Sequence, residues 1–337
     1  MKAVVQDRYG PYEEVLHVRE VEMPPVGDGE VLVRVRAASV HPDVWHVVTG
    51  RPYVLRLMGA GLRRPKSTIP GTDLAGHVES MGRDVTRFRV GDEVFGESHG
   101  GFEWRNGGTF AEYVSVPEKV LALKPANVSF EQAATVPTTG IIALHNLQYG
   151  QRLHAGQEVL INGAAGGVGS IALQVAKAHG ARVTGVDAAQ KLELVRSLGA
   201  DHVIDYTSED FTRSGERYDL IFDVASNLSP AGCKRVLTPG GVYVFIGHDH
   251  FGAARGRLFG SVPHALGQMA LSPFISHLPP PNFSPPRKQE AMAVLRELLE
   301  TGKLTPIIDQ VFPLGEASRA LRRLESGDAI GRIVIVP

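Results

Sequence analysis

Between an apolar run, Val159-Leu160-Ile161-Asn162, and a stretch of helical spacing that begins at Ser170 stands Gly163-Ala164-Ala165-Gly166-Gly167-Val168-Gly169. Glycines at this density let backbone N–H groups come close to a ligand, and a helix starting directly behind them adds partial positive charge. Strand, glycine turn and helix in this order hold the diphosphate of a dinucleotide. A glycine pattern alone is weak support; here the flanking strand, the helix and an acid downstream strengthen it. The acid is Asp187, at the end of the next strand candidate. A carboxylate there accepts hydrogen bonds from both adenosine-ribose hydroxyls and repels a 2′-phosphate, which favours NAD(H) over NADP(H). The other reading makes Asp187 the N-cap of a helix beginning near Lys191. Ala165, Gly166, Gly167, Val168, Gly169 and Asp187 are the expected cofactor contacts. Lys191 and Arg332 are cations that would admit a 2′-phosphate, or else are solvated.

A second group able to do chemistry is His41-Pro42-Asp43-Val44-Trp45-His46. Two imidazoles and a carboxylate so close together can relay a proton. They can equally brace a chain end, with His46 on a helix turn. Residues 51–70 follow, with Arg51, Arg56, Arg63, Arg64 and Lys66 and no acid. This segment either frames a mouth favouring an anionic acceptor or is a solvated basic loop. Phe251, Phe259, Met269 and Phe274 line an apolar pocket, a core or a subunit interface.

The elements that must position these residues fall into two textures. The first third is β-rich, with Val31, Val33 and Val35 alternating with Leu32, Arg34 and Arg36. From Ala133 onward, short apolar strands at 159–162, 182–187, 202–205, 220–224 and 242–247 alternate with helical stretches such as 191–198 and 230–237. That order predicts a parallel, doubly wound sheet. A proline-rich segment, 272–286, precedes a helix over 287–301. The tail 330–336 reads as a strand and resembles the first third, so it is expected to complete the first domain.

Composition sets the outer bounds. The chain of 337 residues is long enough for two domains. With 35 basic and 36 acidic side chains it has no basic excess for nucleic acid or an anionic membrane surface. The single cysteine, Cys233, excludes an intrachain disulfide and a cysteine zinc cluster. The N-terminal residues lack a signal-peptide run and no stretch approaches the length of a membrane span, so the expectation is a cytoplasmic protein.

These residues resemble the medium-chain dehydrogenase/reductase superfamily, in its zinc-free, quinone-oxidoreductase-like branch. The resemblance rests on residues 69–76, 90–96, 133–137, 194–201 and 237–241 and on Ala164 in the glycine turn, where zinc enzymes usually carry glycine. It implies an α/β protein: a Rossmann-type doubly wound parallel sheet over 125–301, and a GroES-like β-rich catalytic domain over 1–124 and 302–337. It also implies a homodimer formed by sheet extension, although prolines at 279–281 would interrupt such an edge. Zinc relatives have Gly-His-Glu where this chain has Gly71-Thr72-Asp73, plus a ligand cysteine and a four-cysteine lobe near 97–107. This chain has none of these, and His41, His46, His77 and His99 match no zinc spacing. No metal is expected.

Two departures mark the expected active site. The family's Asn-Pro-x-Asp segment reads His41-Pro42-Asp43 here, and Ile142 stands where family members often carry threonine. The resemblance brings His41 and Asp43 to the nicotinamide, adds Thr139 and Gly247 to the cofactor contacts, and makes Tyr53 a candidate proton donor at the substrate. The alternative for Tyr53 is a ring packed under its loop. Without a Lewis acid, a conjugated acceptor is the easier one to reduce, because charge spreads onto its oxygen and hydrogen-bond donors suffice. The expected function is NAD(P)H-dependent reduction of small-molecule quinones or enones. A zinc-free alcohol dehydrogenase or ketoreductase and a non-catalytic nucleotide-binding scaffold are the alternatives.

Overall fold

Val31, Val33 and Val35 turn inward while Arg34 and Arg36 stay exposed, as the alternation predicts; Leu32, read with the outer residues, is buried instead. Further along the same strand, Ala37, Ala38, Ser39 and Val40 are all buried. The reason is that both faces of the strand are covered there: Ala37 joins one hydrophobic core, Ala38 and Val40 another.

The computed structural model describes residues 1–99, 107–147, 153–247, 258–260, 262–278 and 286–337. Its strands are β1 (Lys2–Val5), β2 (His17–Glu20), β3 (Glu30–Val40), β4 (Asp73–Met81), β5 (Glu93–Glu97), β6 (Tyr113–Pro117) and β7 (Leu121–Leu123). They continue with β8 (Glu158–Asn162), β9 (Arg182–Asp187), β10 (His202–Asp205), β11 (Tyr218–Asp223), β12 (Leu237–Phe245), β13 (Ile308–Pro313) and β14 (Arg332–Val336). The α-helices are α1 (Tyr12–Val15), α2 (Pro42–Thr49), α3 (Phe130–Ala134), α4 (Pro137–Leu147) and α5 (Gly167–Ala178). After them come α6 (Leu192–Ser197), α7 (Pro230–Val236), α8 (Val262–Leu271), α9 (Lys288–Glu300) and α10 (Ala317–Glu325).

The five strand candidates of the middle region form one parallel sheet in the order β10-β9-β8-β11-β12. Strand order reverses between β8 and β11, so a crevice opens at their carboxyl ends, where such sheets bind ligands. The second sheet runs β13-β14-β3-β4-β5-β7, with β6 also on β3. Strand β14 pairs antiparallel with β3, Ile333 opposite Val40, so the tail does complete the β-rich sheet. Two boundaries differ from expectation. The helix expected from 191 begins as a 3₁₀ turn, Ala189–Lys191, before α6. The strand expected from 242 starts at Leu237, its Pro239-Gly240-Gly241 absorbed by a register break opposite β11.

The two sheets share a core. Ala37, Ala75 and Phe95 of the antiparallel sheet sit in one apolar cluster with Ile161 and Leu220 of the parallel sheet, and Ile141 of α4 and Leu295 of α9 belong to it too. At Gly140 a side chain would strike Leu295, which keeps α4 and α9 in close contact. At the sheet's edge, the backbone N–H of Tyr243 donates to the carbonyl of His277 at 2.8 Å. An edge-to-edge dimer would therefore meet that segment at this point; prolines 279–281 lie outside the described residues. Among the described residues no helix is long and apolar enough to cross a membrane.

Cys233 is fully buried on α7, and burial pushes its thiol up to about 12. A thiol in that state is a poor nucleophile. Native protein at pH 8 is expected to resist iodoacetamide, while the urea-unfolded chain takes one label. Fast labelling of the native state would contradict this burial.

Candidate functional site

Strand β8 ends at Gly163, which adopts φ +83°, a region only glycine enters without strain. The N–H groups of Gly163 and Ala164 donate to the carbonyl of Val186 at 2.9 and 3.1 Å, and Gly166 N–H closes the turn on the Gly163 carbonyl at 3.2 Å. Helix α5 then starts at Gly167, and its first N–H groups have no intrahelical partner. A side chain at 169 would collide with the Gly163 carbonyl, so glycine there lets helix and strand close together. At Gly167 a Cβ would lie 2.5 Å from Nε of Arg332. The β-rich domain thus reaches into the cradle. Gly331 N–H donates to the Ala165 carbonyl at 2.7 Å, and Gly331 bridges Gly166.

Arg332 is buried, and its Nε has no hydrogen-bond partner among the described residues. Burial pulls its guanidinium down to about 10, against the opposing charges of Asp73 and Asp43. A buried cation with an unspent donor, beside a helix N-terminus and a glycine turn, fits an anionic group such as a dinucleotide diphosphate. The sequence left Arg332 as a 2′-phosphate partner or a solvated cation; it is buried against the glycine turn.

Asp187 does end β9, but it caps neither the 3₁₀ turn nor α6. Its carboxylate accepts from Ala165 N–H at 2.8 Å and from its neighbour Ala188 N–H at 2.9 Å. One carboxylate therefore braces the glycine turn from the end of the neighbouring strand. Lys191 is committed elsewhere: its Nζ donates to the carbonyls of Gly327 and Ala329, at 2.9 and 3.2 Å. Val168 is buried. Thr139 turns its hydroxyl back onto the residues joining α3 to α4, at 2.5 Å from the Thr135 carbonyl and 3.1 Å from that of Val136. Gly247 has φ +100° and donates to Ser226 Oγ at 2.6 Å.

Ser226 itself is the one described non-glycine residue with positive φ, at 56°. It sits over Asp223, whose carboxylate takes Asn162 Nδ2 at 2.7 Å, Tyr243 OH at 2.9 Å and Ser226 N–H at 2.8 Å. Burial raises the Asp223 carboxyl above its ordinary value. This strained, polar corner at the ends of β8, β11 and β12 was not foreseen; strain of this kind gathers at binding sites. No periodicity signals it, because its residues come from three strands and the turn that follows one of them.

His41 is fully buried at the start of α2. Its Nδ1 lies 3.1 Å from Asp43 Oδ2, and its Nε2 has no partner among the described residues. His46 points away, with Nδ1 2.6 Å from the Arg51 carbonyl. The structure thus joins His41 to Asp43 and leaves His46 out of the pair. Tyr53 is 41% exposed, and its ring stacks on Arg56, which is itself held between Tyr9 and Tyr53. Arg63, Arg64 and Lys66 are exposed. Phe259 and Phe274 are exposed too, not core; Phe251 lies outside the described residues. Among the described residues no three metal-ligating side chains gather.

A second polar group lies where the sheets meet. Asp73 on β4 accepts from Ser39 Oγ at 2.9 Å, and from Thr138 Oγ1 and N–H at 2.6 and 3.2 Å. Thr138 Oγ1 is also 3.1 Å from Glu97 on β5, and Glu97 pairs with Lys288 of α9. None of these residues was singled out from the sequence for a role.

Residues 27–126 match the alcohol dehydrogenase GroES-like domain family, and residues 198–335 match the family described as zinc-binding dehydrogenase. The chain is 32% identical over 348 residues to the chloroplastic NADPH-dependent alkenal/one oxidoreductase of Arabidopsis thaliana, covering all of this chain and 80% of that protein. The Escherichia coli quinone oxidoreductase complexed with NADPH superposes with a TM-score of 0.79 at 26% identity, covering 100% of both chains. An NAD-dependent alcohol dehydrogenase superposes with a TM-score of 0.78 at 31% identity, again over the full length of both. The chain belongs to the medium-chain dehydrogenase/reductase superfamily, in its quinone-oxidoreductase-like branch.

Proposed function

We propose that this protein is an NAD(P)H-dependent reductase of quinones or enones that works without zinc. The observation that carries the proposal is the buried His41–Asp43 pair, whose free Nε2 shares a site with the Arg332 cradle: Asp43 acts electrostatically on Arg332, and Arg332 packs on Gly167. The relatives' names point the same way. Residues 163–169, the α5 N-terminus and Arg332 hold the diphosphate. Asp187 receives the adenosine ribose diol. Bound nicotinamide supplies the hydride. His41 donates from Nε2 to the acceptor oxygen, and Asp43 fixes the ring through Nδ1. The proton then passes to the reduced product. Asp73, at the place of the zinc enzymes' glutamate, is spent on Ser39 and Thr138.

Three finer readings accompany this. NAD(H) is preferred, since the Asp187 charge opposes a 2′-phosphate and Lys191 is bound to backbone carbonyls. Residues 125–301 form the cofactor domain, and 1–124 with 302–337 the catalytic one. The protein is a homodimer.

The test is a panel of quinones, enones, aldehydes and alcohols with NADH and NADPH, followed by absorbance. Quinone or enone turnover is expected, with the higher kcat/KM for NADH. His41→Gln is expected to lower kcat by roughly 10²-fold, the scale of a lost general acid, with cofactor affinity unchanged. Activity confined to alcohols and aldehydes would replace this reading with a zinc-free alcohol dehydrogenase; the 31% identity to an NAD-dependent alcohol dehydrogenase favours the alcohol-dehydrogenase part of that alternative.

A further inference from the structure

Among the described residues, the joint between the two sheets holds a chain of five polar side chains: Lys288, Glu97, Thr138, Asp73 and Ser39. Each is at most 8% exposed. Lys288 pairs with Glu97 and also reaches the His99 carbonyl at 3.4 Å. Glu97 meets the Thr138 hydroxyl, Thr138 meets Asp73, and Asp73 meets Ser39. The chain therefore starts on α9, crosses β5, α4 and β4, and ends on β3, two residues before His41.

Polar groups in such a place need a reason. Desolvating an ammonium and two carboxylates is costly, and a hydrophobic set of equal volume commonly holds a core together at least as well. What a hydrogen-bonded chain adds over apolar contacts is direction: it admits one register between the elements it joins. Thr138 is the pivot. It has one proton to offer and two carboxylate oxygens within 2.6 and 3.1 Å. Its N–H also binds Asp73, so β4 is pinned to the first turn of α4 by two bonds.

We propose that Lys288–Glu97–Thr138–Asp73–Ser39 is a positioning network that fixes the end of β3, and with it His41, relative to the helices of the cofactor side. Hydride and proton transfers need their partners within a few tenths of an ångström. The network supplies that constraint from the rear of the site and touches neither cofactor nor acceptor. This inference rests on the reading of His41 as the donor.

Thr138→Val removes the hydroxyl at nearly constant volume. With NADPH and 1,4-naphthoquinone, kcat is expected to fall at least tenfold. NADPH affinity, read by fluorescence titration, should stay within twofold. Amide exchange in residues 37–41 should quicken, and Thr138→Ser should restore both kcat and exchange. A folded Thr138→Val protein with kcat within twofold of wild type and unchanged exchange at 37–41 overturns the proposal. So does a loss that Thr138→Ser fails to repair. If Thr138→Val does not fold, Ser39→Ala is read by the same two measurements. His41→Gln at wild-type speed would reject the donor reading alone, and the exchange result would still decide the network.

Discussion

Gly169→Val is expected to abolish saturable NADPH binding, with the Kd raised at least about 100-fold, and to lower the thermal midpoint by several degrees. The cause is local and steric. A Cβ at 169 meets backbone atoms, the Gly163 carbonyl and the Ala164 Cα, and neither can swing aside as a side chain could. Relief must come from pushing α5 away from β8, at about 1–3 kcal/mol or more for overpacking. That movement takes with it the helix N–H groups that meet the diphosphate and the turn that Asp187 braces through Ala165. Gly166→Ala is the control, since φ is −74° there and the nearest atom to a new Cβ is 3.5 Å away. It should keep the wild-type thermal midpoint within about 1 °C. Isothermal titration and a melting curve on both variants check the prediction; a Gly169→Val protein that binds NADPH normally would show that helix and strand need not close so tightly.

Arg332→Leu is expected to weaken NADPH binding by roughly 10- to 150-fold, the equivalent of about 1.5–3 kcal/mol for hydrogen bonds to a charged group. Arg332 contributes charge and an unspent donor where Gly167 leaves room for both. The pH dependence carries a sign. Burial has pulled the guanidinium down to about 10, so below that pH it is charged and affinity should be flat. Above it the group loses its proton and affinity should decline in the wild type, but not in Arg332→Leu. Affinity that ignores the substitution, or a variant with the wild-type alkaline decline, would move the diphosphate contact elsewhere.

Much of this site was legible because its determinants are contiguous. Residues 159–169 hold strand, turn and helix within one stretch, and the five middle strands announce themselves as apolar runs. What the sequence left open has a different cause. Thr138 and Thr139 are adjacent on a helix, so they face different directions; only the surrounding fold shows that Thr139 bonds the turn before its helix while Thr138 faces Asp73. Lys191 stayed open between a 2′-phosphate partner and a solvated cation because its partners, the carbonyls of Gly327 and Ala329, come from a distant part of the chain. Asp187 looked like a cap because a backbone N–H from the preceding turn is not visible as a residue type. The Lys288–Ser39 network draws on residues 39, 73, 97, 138 and 288, each ordinary in its own neighbourhood. Tertiary contacts of high sequence separation leave no local trace.

The pairing of Gly331 with Gly166, and Arg332 beside Gly167, has a consequence for synthesis. The parallel sheet and its glycine turn leave the ribosome long before residues 331 and 332. Domains generally fold as units during translation, so this sheet can form while the cradle still lacks its cation and its closing strand. A nascent chain, or one cut short by a premature stop before Gly331, is expected to fold its nucleotide domain yet hold cofactor poorly. Cofactor capture then reports that translation has passed residue 332, and incomplete chains do not draw on the cell's nicotinamide pool.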